Sequence, residues 1–212
     1  MIEKSRIIYK NIIKMGPDLD FERFKAKLAE RKFRLSERIV PTPEGPLKEY
    51  VMTEPKYLRD LIIVSRKGFV VDSRDLNYSL ELITLAYAIY EDIMKDYVEY
   101  IQTDIVGLYE IIVLVKDAEN IVGSAIEGSI LNRIGSYLGK DFKPFGVSLY
   151  KGIPTAPHEF VVINLAPLLI PFQKSSRLKV NISYRGTDSE KAVRFIRDIP
   201  ALIEKLVKIF AE

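Results

Sequence analysis

The sequence predicts an α+β fold in which two similar halves, each ordered strand, helix, strands, helix, share an antiparallel sheet backed by helices. Three observations predict it. A long helical pattern from Asp75 to Ile101 sits near the midpoint of the 212 residues. The stretches before and after it are mostly patterned as strands, and after it the order of elements starts again. The halves are expected at residues 1–104 and 105–212, as one compact unit.

In the first half, Arg6 to Met15 is rich in β-branched and aromatic residues and reads as a strand ended by Gly16-Pro17. A helix capped by Asp18 or Asp20 follows, with Phe21, Phe24 and Leu28 as its apolar stripe. Phe33 to Val40 alternates, which predicts a half-buried strand with Phe33, Leu35 and Ile39 inward. Leu47 to Met52 is a short strand, and Leu58 to Val64 pairs with Phe69 to Asp72 across a turn in which Gly68 can take a positive φ. The central helix then begins at a cap, Asp75 or Asn77, and buries Leu80, Ile83, Ala86, Tyr87, Tyr90, Met94, Tyr97 and Ile101, a face widened by Leu82, Ile89 and Ile93. With no Pro or Gly before Gly107, a rod of roughly 35 to 40 Å is expected.

In the second half, Leu108 to Lys116 has a continuous apolar centre, as expected for a strand covered on both faces. A helix is expected from about Asn120 to Leu138, weakened by three glycines. Strands follow at Gly146 to Lys151, Phe160 to Leu165, Leu168 to Phe172 and Arg177 to Arg185. The last alternates strictly, with Leu178, Val180, Ile182 and Tyr184 inward. Ser189 to Phe210 is an amphipathic helix in which Pro200 predicts a kink or a break.

Composition narrows the function. Cysteine is absent, which excludes disulfides and thiolate chemistry, and the scarcity of Trp and His beside many charged residues resembles a thermophile's usage. There is no signal-peptide core and no run of 18 apolar residues, so a cytoplasmic protein without a membrane partner is expected. Residues 1–38 and 131–212 carry an excess of Lys and Arg, and residues 81–130 an excess of Asp and Glu. That segregation suits either a polyanion-binding surface or self-association.

The element order of each half resembles the TATA-binding-protein repeat, in which two halves form one curved antiparallel sheet with helices on its back. Asn11-Ile12-Ile13 resembles the start of that family's first strand, and Glu54-Pro55-Lys56 followed by Leu61 to Val71 resembles its EPK segment and hairpin. Val64 stands where the family has an intercalating Phe, and Glu110 where the second half should repeat the Asn. The resemblance therefore implies the curved fold without wedge-type binding in the DNA minor groove.

No catalytic residue, metal site or cofactor is expected. No nucleotide or hydrolase motif is present, the lone His158 has no partner at ligand spacing, and Asp72 with Asp75 or Glu91 with Asp92 read as capping and solvated-face residues. The twelve tyrosines read as core packing rather than a stacking platform. Two interaction surfaces remain. A basic sheet face for nucleic acid would use Arg177, Lys179, Asn181 and Arg185, with Arg34, Arg38 and Lys10. The alternative is a homodimer or protein-interaction contact in the apolar 160–172 segment, through Leu165, Leu168, Leu169 and Phe172, where two prolines predict an edge or loop.

Overall fold

The computed structural model describes residues 2–43, 45–56, 59–124, 145–152, 159–168 and 176–211. In chain order these form β1 (Ile2–Met15), α1 (Phe21–Glu30), β2 (Arg34–Thr42), β3 (Gly45–Thr53), β4 (Leu61–Ser65), β5 (Gly68–Ser73) and α2 (Leu76–Met94), which ends in a 3-10 helix, Lys95–Tyr100. Then come β6 (Gln102–Leu114), α3 (Ala118–Ser124), β7 (Val147–Lys151), β8 (Phe160–Pro167), β9 (Arg177–Gly186) and α4 (Ser189–Ala211). His158, Leu169, Phe172 and most of the expected 120–138 helix lie outside the described residues.

The nine strands form one antiparallel sheet in the order β2-β3-β4-β5-β1-β6-β9-β8-β7. The first strand of each half therefore lies in the middle, β1 against β6, and the remaining strands fan out to either side. Alternation decides which face is buried. Ile7, Tyr9, Asn11 and Ile13 of β1, Tyr109 and Ile111 of β6, and Leu178, Val180, Ile182 and Tyr184 of β9 all lie under the helices. Helix α2 lays Leu82, Ile83, Ala86, Ile89 and Ile93 on this face, and α4 adds Ala192, Ile196, Ile199 and Ile203. Each large aliphatic side chain so buried contributes about 1.5–3 kcal/mol against chain entropy. Both first-half helices start at the expected carboxylates: the backbone N–H of Arg23 donates to Asp20 Oδ1 at 3.0 Å, and that of Tyr78 to Asp75 Oδ1 at 2.8 Å.

Several expectations are overturned. The sheet is open and flat, not the curved saddle of the TATA-binding-protein fold. Element order constrains which strands are neighbours, but curvature depends on twist and on bulges, and the two irregularities between β1 and β6 lie at strand ends, Ile2/Lys4 and Ile13/Met15. The face is also reversed. Asn11 and Val64, the positions that the resemblance aligned with ligand-facing residues, are both 0% exposed on the helix side, and in a strand a shift of one residue exchanges the two faces.

Strand β2 is not half-buried. It forms the sheet edge beyond β3 and β4, where α1 packs, so Leu35 and Ile39 are 48% and 68% exposed. The α-helical rod stops at Met94, after 19 residues, and Tyr97 is exposed on the 3-10 helix. Of the two outcomes expected at Pro200, a kink or a break, the break does not occur, and helix α4 continues through it. Finally, among the described residues β6 is covered on one face only, and Leu108 and Leu114 stand 38% and 40% exposed on the other.

Candidate interface on the open sheet face

The residues that alternate with the core define a second face that no described helix covers. Its register can be read across the ladder: Ile63 lies opposite Val70, Val70 opposite Lys10, Lys10 opposite Val106 and Val106 opposite Arg185. One row along, Leu61, Asp72, Ile8, Leu108, Ser183 and Val162 follow one another in the same way. The face is thus a lane of aliphatic side chains set among charged ones. At its centre is a shallow depression of about 310 Å³, lined by Arg6, Ile8, Leu108, Glu110, Asn181 and Ser183.

All seven residues expected to form a basic surface lie on this face. Arg177, Lys179, Asn181 and Arg185 come from β9 and Lys10 from β1, whereas Arg34 and Arg38 sit on β2, six strands from β9 and so roughly 29 Å away. The face is not a field of free cations. Arg177 makes a two-pronged contact with Glu3, through Nε at 2.7 Å and Nη2 at 3.0 Å. Arg185 grips Asp104 through both nitrogens at 2.8 Å, Lys179 Nζ lies 3.0 Å from Glu110, and Arg38 Nε lies 2.7 Å from Glu49. Arg6 pairs with Asp72 in the same two-pronged way, at 3.0 and 2.7 Å. Lys10 and Arg34 form no ion pair among the described residues. The cross-strand register places each carboxylate beside its cation, which matches the charges locally.

Asp104 shows the energetics. Its carboxyl is held below its ordinary value of 3.8, first by the hydrogen bonds from Arg185. A folded-state value below the unfolded one means that the pair stabilises the fold above about pH 4 and that this contribution is lost as pH falls through the folded value. Asp104→Asn is therefore expected to flatten the acid limb of a stability-against-pH curve, measured by guanidinium unfolding between pH 7 and 3. An unchanged acid limb would show that the pair contributes nothing.

The apolar 160–172 segment divides differently from expectation. Leu165 is 2% exposed and packs beneath the helices opposite Val180, so it belongs to the core and cannot be a surface contact. Leu168 is half-buried just past β8, its N–H donating to Arg177 O at 2.8 Å. Pro167 lies on the second strand from the edge, beyond the last residue that pairs with β7, so its missing N–H leaves that ladder intact. The exposed and half-exposed apolar residues of the open face are instead Ile8, Val106, Leu108, Ile112 and Leu114 in the middle of the sheet. The sequence signals only two of them, Ile112 and Leu114, which fall in the continuous apolar stretch after Glu110.

Three of the four paired carboxylates have structural roles. Asp72 holds Arg6, Asp75 caps α2, and Asp92 lies 2.8 Å from Lys27 and 3.2 Å from Arg23. Among the described residues no cluster of three His, Asp or Glu could hold a metal ion, and no helix is long and apolar enough to cross a membrane. No protein-family model matches the chain, and no curated protein matches it.

Proposed function

We propose that this protein is an association module whose open sheet face pairs with the same face of a second copy. The observation that carries the reading is the apolar end of β6: Ile111 to Leu114 is continuously apolar, as in a strand buried on both sides, yet Leu114 is exposed and Ile112 half-exposed in the single chain, and Leu108, on the other side of Glu110, is exposed as well. Two further points support it. Nine strands at about 4.8 Å spacing and about 20 Å of paired length give a face of roughly 800 Å², the size one partner contributes to a standard stable interface. Most cations of the face already rest on carboxylates, so it presents little net field to select a polyanion, and an identical, locally neutral face suits it.

Sedimentation velocity on the full chain is expected to show a concentration-dependent monomer–dimer equilibrium. Leu108→Lys, which places an unpaired ammonium at the centre of the contact, is expected to weaken it at least tenfold while circular dichroism stays unchanged, because Leu108 packs under no helix. A wild-type chain that remains monomeric at high micromolar concentration overturns the proposal.

A further inference from the structure

The helix-backed side holds a second concavity, independent of the open face. It opens where the last turns of α2 and the 3-10 helix meet the start of α4 over the ends of β1 and β6, and it measures about 410 Å³, within the range of small-molecule sites. Its floor is Asn11. This side chain is 0% exposed, and neither its amide oxygen nor its amide nitrogen has a hydrogen-bond partner among the described residues. The Tyr90 hydroxyl beside it, on a residue 6% exposed, is likewise unpartnered. Three more buried hydroxyls without partners, those of Tyr9, Tyr109 and Tyr184, lie in the adjoining core. Ser189 neighbours Tyr9 across this gap, but the two do not meet with hydrogen-bonding geometry.

Leaving a buried polar group unsatisfied costs about 1–3 kcal/mol, so unpaired oxygens at the floor of an open pocket, Asn11 Oδ1 and the Tyr90 hydroxyl, point to a ligand that brings hydrogen-bond donors. The walls specify its chemistry. Tyr87 and Tyr90 stack with ring centroids 6.2 Å apart, and carboxylates enter from Glu91 on α2 and from Asp188 and Glu190 at the start of α4. Met94, Val98 and Ile101 supply an apolar side, and among the described residues no Lys or Arg lines the cavity. The positive end of the α4 dipole does not reverse this sign. Asp188 Oδ1 accepts the Lys191 N–H at 3.1 Å and Glu190 sits in the first turn, so the two carboxylates offset the terminus. Lys191 Nζ approaches Asp188 only to 3.7 Å from an exposed position, and Glu91 neighbours the uncharged Tyr87 hydroxyl, so neither Glu91 nor Glu190 has a cation beside it among the described residues.

We propose that this pocket binds a small aliphatic amine in its protonated form. The ammonium donates to Asn11 Oδ1, to the Tyr90 oxygen and to Glu91, lies against the tyrosine faces, and its methylenes cover Met94 and Val98. The geometry thus separates binding from stability at one residue. Asn11→Leu removes an unsatisfied buried amide and is expected to leave the fold as stable as before or more so, yet to abolish the site.

The test is calorimetric titration of the full chain with 1,4-diaminobutane and, as the neutral control, 1,4-butanediol. The expected result is one saturable site for the diamine, none for the diol, and at least a tenfold loss of affinity in both Asn11→Leu and Glu91→Gln. No heat of binding at millimolar diamine overturns the proposal. So does equal binding of the diol, and so does binding that survives both substitutions, which would place the amine on surface carboxylates elsewhere.

Discussion

Gly68→Ala is expected to lower the unfolding free energy by about 4 kcal/mol, a large fraction of a typical domain's margin. Gly68 ends the two-residue turn between β4 and β5 with a φ of +126°, a conformation that a side chain strains. An added Cβ would stand 2.1 Å from the backbone oxygen of Asn11 and 3.3 Å from Ile12 Cα, because Gly68 pairs with Ile12 at the end of the β1–β5 ladder. Backbone strain of about 1–3 kcal/mol then adds to overpacking of about 1–3 kcal/mol, with no flexible side chain to give way. Gly45 supplies the control. Its φ is +108°, but a Cβ there meets nothing within 4 Å, so Gly45→Ala should lose about 1–2 kcal/mol from strain alone. Guanidinium unfolding of the two variants separates the terms. Equal losses would mean that the Asn11 contact contributes nothing.

That turn is legible in the sequence because its signal is local. The same holds for β9, whose strict alternation from Leu178 to Tyr184 has one solution once one face is buried, and for the caps at Asp20 and Asp75. The features that depart from expectation are non-local. The pattern of β2 is that of a half-buried strand, and only its place at the sheet edge, past the reach of α1, leaves Leu35 and Ile39 in solvent. Sheet curvature is a property of all nine strands together and is encoded in no one of them.

The candidate sites divide along the same line. Read alone, β9 shows a row of cations, but the carboxylates that neutralise them come from Glu3, Asp104 and Glu110 on other strands, Glu3 being 174 residues away from Arg177. Registers of that separation decide the charge of the face, and a single strand carries no record of them. The helix-side pocket does leave a trace. Along β1 the inward positions are Ile7, Tyr9, Asn11 and Ile13, and the amide among them is a polar residue at a core position. A buried Asn demands a partner, and the absence of one among the described residues is a local inconsistency of the kind expected at a functional site. Tyr9, Tyr90, Tyr109 and Tyr184 lie in the core as their spacing implies, but packing accounts only for their rings, and their hydroxyls are surplus to it.

Phe69→Ala is expected to destabilise by about 4 kcal/mol, close to the effect at Gly68 but by a different route. Phe69 is 1% exposed, and its ring lies 6.0 Å from Tyr9, 5.8 Å from Phe24 and 5.9 Å from Tyr90, so one side chain joins β1, α1 and α2. Truncation opens a cavity whose walls are a sheet and two helices, which cannot all close on it, and removes three tilted aromatic contacts. Phe69→Leu keeps most of the volume and should lose about 1–1.5 kcal/mol. The two variants bear on function as well as on stability, because Tyr90 is held between Phe69 and the helix-side pocket, while the open face lies on the other side of the sheet. Phe69→Leu should therefore weaken amine binding by freeing Tyr90 and leave self-association unchanged, as measured by titration and sedimentation on the same preparation. A loss below about 2 kcal/mol for Phe69→Ala would mean that the helices collapse onto the space, and that the core is not the close-packed joint from which both faces take their shape.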